Sequence, residues 1–368
     1  MALRCTASGS GTSRGHAARR LDVVVVTAYN DDFRTARGYV GDRGSIRAFR
    51  AVLDRVRATL RRRGADPLGN RSTAAFAKKQ LDALLAKGDP EAGGAVLAAV
   101  DAFAGELAQI TARLLRFPAW RGVRRVVVGG GFRASRIGEL AIGCASLRLK
   151  EMGHRVALTP IRHHPDDAGL IGAVHLTARE RLAGYDAVLA VDIGGSNVRA
   201  GLVELHATEA ADFARSVVRQ RTVWRYADEA VRPTREEVLR RLGRMLKRLA
   251  HKAEAHLRLA PFIGVACPGE ITEAGMIARG GLNLPGNWEL ASFNLAERIA
   301  ALLPTVAGRD TAVVVHNDAV VQGLSQLPFM RDVSRWGVLT IGTGLGNAAF
   351  RNLSDAALEG HRPRRPVA

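Results

Sequence analysis

Residues 187–197 read AVLAVDIGGSN, and this stretch decides the fold more than any other part of the chain. The apolar run at 187–191 is rich in aliphatic and β-branched residues, which indicates a buried strand. The run ends in Asp192, two glycines and Ser196, and residues 198–205 (VRAGLVEL) then continue as a second strand. The stretch therefore predicts a β-hairpin with a polar, glycine-rich turn.

Other predicted strands also end in polar or glycine clusters. Residues 125–128 run into Gly129, Gly130 and Gly131, residues 311–315 into His-Asn-Asp, and residues 337–341 into GTGLG. Predicted strands also cover residues 21–28, 154–158 and 261–267. Helical spacing of apolar residues predicts helices at 45–64, 73–86, 92–115, 166–173 and 236–257, the fourth capped by Asp166 or Asp167. Strands mixed with helices throughout predict an α/β fold, in which ligands bind at the carboxyl ends of strands.

Two of these clusters have the composition of phosphate-binding loops. At residues 192–197 and 342–346, glycines let backbone amides approach an anion, and Ser196 or Thr343 adds a hydroxyl donor. Neither cluster has the spacing of a P-loop, because no Gly-Lys-Ser/Thr follows. A tight turn explains either cluster equally well.

Two aspartates at predicted strand ends have the chemistry of a phosphoryl-transfer site. Asp318 could accept a proton from an attacking hydroxyl, and the alternative is that it caps a helix. Asp192 could hold Mg²⁺ through water, because Mg²⁺ prefers hard oxygen ligands and keeps its waters.

Composition limits the class of protein. The 368 residues favour two domains, and 47% hydrophobic with 24% charged residues is typical of a soluble globular protein. We expect no membrane span, and the cytoplasm is the expected location. Three cysteines are too few for a disulfide framework. Residues 1–20, rich in Gly, Ser, Ala and Arg, predict a disordered arm.

The formal net charge of +19 admits two interpretations. It fits a polyanionic partner such as a phosphorylated substrate or polyphosphate. It equally fits arginines spread over solvated helix faces, which the helical spacing of RVRATLRRR favours. We therefore do not expect a nucleic-acid partner from charge alone.

Four motifs together resemble the ROK family of sugar kinases, within the actin-like ATPase superfold. DIGGSNVR at 192–199 is similar to the family's first phosphate motif, and GTGLG at 342–346 is similar to the second. GVACPG at 264–269, with NLPGNW at 283–288, resembles the sugar-side segment. HNDA at 316–319 resembles the catalytic Glu-Asn-Asp-Ala, with His316 in place of Glu.

The order of the remaining motifs differs from the family's. RRVVVGGG at 124–131 resembles the adenosine motif and DDAGLIGA at 166–173 the closing helix, yet both precede the first phosphate motif. The segment ALEGH at 357–361 resembles the Glu-x-Gly-His site, without the cysteines of the zinc motif. We interpret the chain as a circular permutant, with the family's ends joined near residues 177–185.

The resemblance implies a two-domain actin-like (ribonuclease H-like) fold with an interdomain cleft. The larger domain would hold residues 21–165 plus 336–368, and the smaller domain residues 166–335. By the same resemblance the chain is a homodimeric, ATP-dependent, glucokinase-like enzyme that phosphorylates a hexose.

The resemblance also assigns roles to residues. It implies that Asp318 is the base and that Asp192 holds Mg²⁺ through water. The implied sugar ligands are Asn283, Asn317, Glu359 and His361. The implied ATP ligands are Asp192, Gly194, Gly195, Ser196, Asn197, Gly342, Thr343, Gly344, Gly129, Gly130 and Gly131. No zinc is expected, because thiolates near His361 are lacking.

Three alternatives stay open. The chain could be a sugar-responsive regulator, a role found in the same family, although residues 1–37 are too short for a winged helix. It could bind sugar or nucleotide without turnover, because the Glu-x-Gly-His segment is altered. It could be a glucokinase that takes phosphate from polyphosphate in place of ATP.

Overall fold

The computed structural model describes residues 15–32, 34–35, 38–64, 66–281 and 283–353. The described strands are β1 (Val24–Tyr29), β2 (Arg34–Thr35), β3 (Gly38–Tyr39), β4 (Arg125–Gly129), β5 (Ala157–Pro160), β6 (Ala187–Ile193), β7 (Val198–Glu204), β8 (Val217–Trp224), β9 (Leu259–Cys267), β10 (Glu270–Ile271), β11 (Ile277–Arg279), β12 (Thr305–Val306), β13 (Arg309–Asp310), β14 (Ala312–Asn317), β15 (Arg335–Ile341) and β16 (Leu345–Asn352). The described α-helices are α1 (Ile46–Arg62), α2 (Lys78–Lys87), α3 (Pro90–Leu114), α4 (Arg136–Glu151), α5 (Pro165–Gly172), α6 (Arg235–Glu254), α7 (Leu295–Leu302) and α8 (Asp318–Leu324).

The hairpin predicted from residues 187–205 is confirmed. Strand β6 is buried along its whole length and pairs with β7 in antiparallel register from Ala187–Glu204 to Ile193–Val198. Strand β9 lies parallel to β6 on its other side, and β14 lies parallel to β9. Burial on both faces explains why β6 is continuously apolar rather than alternating.

Two five-stranded sheets have the same internal arrangement. In the sheet that we name sheet B, the order is β14-β9-β6-β7-β8. In the second, sheet A, the order is β5-β4-β15-β16-β1. Each has an antiparallel set of three strands, β6-β7-β8 or β15-β16-β1, extended by two parallel strands beside the first of them. The α/β class predicted from the sequence is confirmed.

The chain passes through the two sheets in different orders. The strands of sheet B follow the chain as β6, β7, β8, β9 and β14. Sheet A would follow the same path only if β1, β4 and β5 came after β16 in the chain. Instead, β1, β4 and β5 precede sheet B in the chain, and β15 and β16 follow it.

Helices cover both sheets and also lie between them. Helices α1 to α4 pack on one face of sheet A, and α6 with α7 packs on one face of sheet B. A third core joins the inner faces of both sheets to α5 and α8. Helices α5 and α8 approach closely, because a Cβ on Gly172 would lie 1.7 Å from the carbonyl oxygen of Val321.

Helix α3 bears on the prediction that the chain has no membrane span. Among the described helices, Pro90–Leu114 alone is long and apolar enough to cross a membrane by length and composition. Most of its apolar window is buried inside the fold. Its side chains Val96, Val100 and Phe103 form the centre of the core on sheet A, which accounts for the apolar sequence.

Several local predictions were wrong, including the start of the helix predicted at 73–86, which begins at Lys78. Residues 15–20 are not a disordered arm: Ala17 N donates to Val315 O at 3.0 Å along the edge of sheet B; residues 1–14 lie outside the described residues. Strand β5 was predicted to begin at residue 154. It begins at Ala157, because pairing with β4 begins there. Helix α5 is capped by His164, whose Nδ1 accepts from Asp166 N, because Asp166 itself is bound to Arg199.

Candidate active site

The parallel strands of sheet B bring two aspartates to one edge. Asp192 lies next to Ala266 across β6 and β9, and Asn317 lies next to Cys267 across β9 and β14. Asp318 follows immediately as the first residue of α8. The two carboxylates therefore flank the end of β9, and they are close enough for Asp192 to affect the ionisation of Asp318.

The Asp318 carboxylate has an environment suited to proton transfer. Its Oδ1 accepts a hydrogen bond from Ala319 N at 2.8 Å. Burial, followed by the nearby charge of Asp192, raises the pKa of Asp318 to about 6. A carboxylate with a pKa near 6 is ionised at neutral pH and is a stronger base than an ordinary aspartate.

The alternative role for Asp318, a helix cap, belongs to its neighbour. Asn317 is the N-cap of α8, and its Oδ1 accepts from Ala319 N at 3.0 Å and from Val320 N at 3.3 Å. Its Nδ2 donates to Gly269 O at 3.0 Å and to Asn30 Oδ1 at 3.3 Å. Asn317 is fully buried with both amide atoms bonded inside the protein, so a sugar contact from it stays a prediction.

Arg199 holds the Asp192 carboxylate in place. Its Nη1 donates to Asp192 Oδ2 at 3.0 Å, and its Nη2 donates to Asp166 Oδ1 at 2.7 Å. Burial raises the pKa of Asp192, whereas Arg199 opposes that change. The pKa of Asp166 lies below its usual value because Arg199 and Arg221 outweigh the effect of burial. No local pattern predicts this pair, because Asp166 and Arg199 are 33 residues apart in the chain.

The first glycine loop, residues 194–197, is fixed by backbone hydrogen bonds. Gly194 N donates to Asn197 O at 2.9 Å, and Ala227 N donates to Ser196 O at 3.0 Å. The hydroxyl of Tyr226 donates to Gly194 O. A Cβ on Gly195 would lie 2.9 Å from Cβ of Asn283, so the loop packs directly on the residue predicted to bind sugar.

The second glycine loop, residues 342–344, lies against the first. Gly342 N donates to Gly344 O at 2.9 Å, and Ile46 N at the start of α1 donates to Gly342 O at 3.1 Å. The hydroxyls of Ser196 and Thr343 are 3.1 Å apart. The structure thus brings together the two loops, one following a strand of each sheet, that the sequence separates by almost 150 residues.

A cavity of about 270 Å³ opens beside this contact. It is lined by Arg47, Gly195, Ser196, Tyr226, Ala227, Glu229, Arg232, Asn283 and Thr343. Residues of both loops and Asn283 were expected at one site. Arg47 and Arg232 were not, because an isolated arginine in a chain with a net charge of +19 carries no local signal.

The third glycine cluster follows β4 and packs on the end of β15. Gly130 has a φ of +81°, and a Cβ there would lie 2.4 Å from the carbonyl oxygen of Ile341. Phe132 N donates to that same oxygen at 3.1 Å. Because Gly342 follows Ile341 directly, this cluster adjoins the second glycine loop. Lys78 donates from its ammonium group to Gly131 O.

The sequence did not predict the contacts made by His316 and Asn347. His316 Nδ1 accepts from Asn317 N at 2.7 Å, and its Nε2 lies 3.3 Å from Ala18 O. Burial lowers the pKa of His316 to about 4, so the ring is neutral at physiological pH. On the other side, Asn347 joins β16 to the segment after β1, with its Nδ2 donating to Asp31 O at 2.7 Å.

Two predicted sugar ligands and the predicted metal roles are not tested by the described residues. Glu359 and His361 lie outside the described residues. Within the described ranges, no group of three or more His, Cys, Asp or Glu side chains is arranged to hold a metal ion. The predicted lack of zinc and the water-mediated role of Asp192 both stay predictions.

Comparison with known proteins places solved sugar kinases beside this chain. No protein-family model and no curated protein matches it. A ROK family glucokinase from Streptomyces griseus, in complex with glucose and AMPPNP, is 19% identical over 49% of this chain and 51% of that chain, with a TM-score of 0.33. A ROK hexokinase from Thermus thermophilus is 22% identical over 49% and 54%, with a TM-score of 0.30.

A candidate N-acetylmannosamine kinase from Listeria monocytogenes is 22% identical over 45% of this chain and 47% of that chain, with a TM-score of 0.33. The chain thus spans about half the length of the solved structures that it matches. The glucokinase and the hexokinase are members of the family that the four sequence motifs resemble.

Proposed function

We propose that this chain is an ATP-dependent sugar kinase that transfers the γ-phosphoryl group to a hexose hydroxyl. One observation carries the proposal: Asp192 and Asp318 lie at the end of sheet B, while the Ser196 and Thr343 hydroxyls of the two glycine loops are 3.1 Å apart. A phosphoryl-transfer site needs both a base for the acceptor and amide and hydroxyl donors for the phosphates.

We further propose an actin-like, circularly permuted arrangement of two domains with a cleft between them. The support is the repeated strand order of the two sheets, which differ only in where β1, β4 and β5 fall in the chain. Moving β1, β4 and β5 to a position after β16 gives sheet A the same order as sheet B. The join proposed at residues 177–185 corresponds to the short connection between α5 and β6.

In the proposed reaction, Asp318 receives the proton of the attacking hydroxyl. The sugar oxygen forms a bond to the γ-phosphorus while the bond from that phosphorus to the bridging oxygen breaks, and ADP leaves with the electron pair. Gly194, Gly195, Ser196 and Asn197, with Gly342, Thr343 and Gly344, would supply amide and side-chain donors to the phosphates. Closure around both substrates would exclude water, which otherwise competes as acceptor.

Magnesium fits the residues present at the site. Asp192 is a hard oxygen donor whose Oδ2 is bonded to Arg199, which suits contact through the waters of the ion rather than direct enclosure. When bound, Mg²⁺ would neutralise charge on the donor phosphates. Arg199 would keep the Asp192 carboxylate oriented and ionised for that role.

The remaining assignments are proposals from the family resemblance. The adenosine would lie against the third glycine cluster, Gly129, Gly130 and Gly131. The sugar hydroxyls would be bound by Asn283, Asn317, Glu359 and His361. A homodimer is also proposed on that resemblance, and a cytoplasmic location is proposed on the composition. Sedimentation velocity of the purified chain tests the dimer.

A coupled assay of ADP release tests the proposed function. The full chain is given ATP and Mg²⁺ with a panel of glucose, mannose, fructose and N-acetyl hexoses, beside a control without sugar. We expect ADP release that depends on one class of hexose. Turnover with polyphosphate in place of ATP would select the polyphosphate alternative, and binding of sugar or nucleotide without turnover would select the non-catalytic one. A mobility shift with DNA would favour the regulator.

A further inference from the structure

The cavity between the two glycine loops has arginines on it that no family motif assigns. Arg47 and Arg232 come from parts of the chain separated by 185 residues, one beside sheet A and one beside sheet B. Both line the same 270 Å³ space as Ser196 and Thr343. Two guanidinium groups beside two phosphate-type loops are a chemically consistent set for an extended phosphate anion.

The position of Arg47 is set by the start of α1. Ser45 caps this 17-residue helix by accepting from Ala48 N, and Ile46 N donates to Gly342 O at 3.1 Å. Arg47, the second helical residue, is thereby fixed beside the second glycine loop. Its side chain is exposed, and within the described residues no carboxylate pairs with its guanidinium.

The second arginine on the cavity lining, Arg232, is held by a backbone contact. Its Nη2 donates to the carbonyl oxygen of Asn283 at 2.7 Å, which leaves its other donors available. Glu229, an acidic residue on the lining, is bound to Trp224 Nε1 at 2.7 Å and lies 4.0 Å from Arg241. The acidic charge is therefore partly neutralised outside the cavity, and the lining is cationic.

We infer that Arg47 and Arg232 grip the terminal phosphates of the donor from opposite sides, with Arg47 as a binding residue for the phosphoryl group that is transferred. The inference rests on the proposed function, because it takes the cavity to be the donor site. The ligand class is a di- or triphosphate chain, recognised through its oxyanions rather than through a base or sugar. Arginine suits this role because its planar fork binds two phosphate oxygens at once.

Titration calorimetry with Mg²⁺-ATP and, separately, with Mg²⁺-tripolyphosphate tests the inference. The samples are the wild-type chain, Arg47→Ala, Arg47→Lys, Arg232→Ala and Arg55→Ala, the last an exposed arginine on the same helix away from the cavity. We expect Kd for both ligands to rise about 10- to 100-fold in Arg47→Ala, because a hydrogen bond between charged groups is lost. The Kd of Arg47→Lys should lie between those of wild type and Arg47→Ala, and the Kd of Arg55→Ala should stay within about twofold of wild type.

The two ligands separate the possible failures. Equal affinity of Arg47→Ala and wild type for tripolyphosphate would overturn the inference while leaving the proposed function intact. Loss of affinity for ATP alone would also overturn it, since Arg47 would then contact the nucleoside. If wild type bound neither ligand, the proposed function would fail and the inference with it. A smaller salt dependence of Kd in Arg47→Ala would support phosphate contact, and unchanged thermal unfolding would show that the fold is retained.

Discussion

Sheets A and B are built on one strand order but differ in the side chains at the ends of their strands. The ends of β6 and β14 in sheet B carry the carboxylates of Asp192 and Asp318. The ends of β4 and β15 in sheet A carry glycines, at residues 129–131 and 342–344. Both sheets thus end in open backbone, because the first glycine loop follows β6, and sheet B adds the two carboxylates.

The difference shows how each edge is stabilised. The acidic edge needs a cation, and Arg199 bridges Asp192 and Asp166 to supply it. The glycine edge needs close approach instead, as at Gly130, whose Cα faces the Ile341 carbonyl. Substitutions should therefore act through charge in sheet B and through steric contact in sheet A.

The largest expected effect is on turnover, at the acidic edge. Asp318→Asn keeps the shape of the side chain but removes the proton acceptor, so kcat should fall about a thousandfold. Asp54→Asn, on the exposed face of α1, is the matched control and should leave kcat unchanged. Steady-state kinetics of both variants with the hexose that wild type accepts gives the comparison. Turnover near wild type in Asp318→Asn would remove this residue from the proposed mechanism.

The next effect is on stability, through the cation that holds the acidic edge. Arg199→Ala leaves the buried Asp192 carboxylate without its partner, and we expect a loss of about 3 kcal/mol in the free energy of unfolding. Arg219→Ala is the control, because Arg219 is 65% exposed and pairs with Glu204 at the surface. Urea unfolding at neutral pH measures both. Similar small losses in the two variants would mean that the Arg199 bridge does not stabilise the edge.

At the glycine edge, the contrast is between two glycines. Gly130→Ala places a methyl group 2.4 Å from a backbone oxygen at a positive φ, and should cost about 2 kcal/mol of stability. Gly344→Ala meets open space, and should cost less than about 1 kcal/mol. Thermal and urea unfolding distinguish them. Equal stability of the two variants would contradict the packing of the third glycine cluster on β15.

The smallest effect is the pH dependence of Asp318. Its pKa of about 6 exceeds the ordinary 3.8, so the folded protein holds this proton more tightly than the unfolded chain does. Stability from this group is therefore present at low pH and declines as pH rises from about 4 to 6. Asp318→Asn should be more stable than wild type at neutral pH, and the difference in the free energy of unfolding should shrink below pH 4.

Catalysis should have the opposite dependence on pH. The ionised Asp318 is the active form, so kcat/KM of wild type should fall as pH drops through about 6. Because Asp192 and Asp318 interact, the midpoint belongs to the pair. A flat profile between pH 5 and 8 would argue against a carboxylate base.

Strands β4 and β6 could be predicted from sequence because their signals are local. The apolar run at residues 187–191 and the one at 125–128 each mark a strand that lies within two residues of the prediction. The helix predicted at 45–64 is observed as Ile46–Arg62, because apolar spacing and the Ser45 cap both act over short range. Periodicity and capping are properties of neighbouring residues, and the sequence contains them directly.

The missing parts of the site depend on contacts between distant residues. The meeting of Ser196 with Thr343, the bridge from Arg199 to Asp166, and the contact of residues 15–20 with β14 have no local pattern. The local sequence predicts Asp166 as a helix cap, because its partner Arg199 lies 33 residues away in the chain. The motif resemblance predicted the residue types of the site, whereas their supporting charges became visible only in the folded chain.

The most direct test of the central claim follows the phosphoryl group itself. The full chain is mixed with ATP labelled on its γ-phosphorus, Mg²⁺ and the hexose panel, and the products are separated after a single turnover. The account predicts that the label appears on the hexose, in an amount equal to the ADP formed, and that Asp318→Asn abolishes the transfer. Label found only in inorganic phosphate, or no release of label from a folded chain that binds ATP and sugar, would contradict the account.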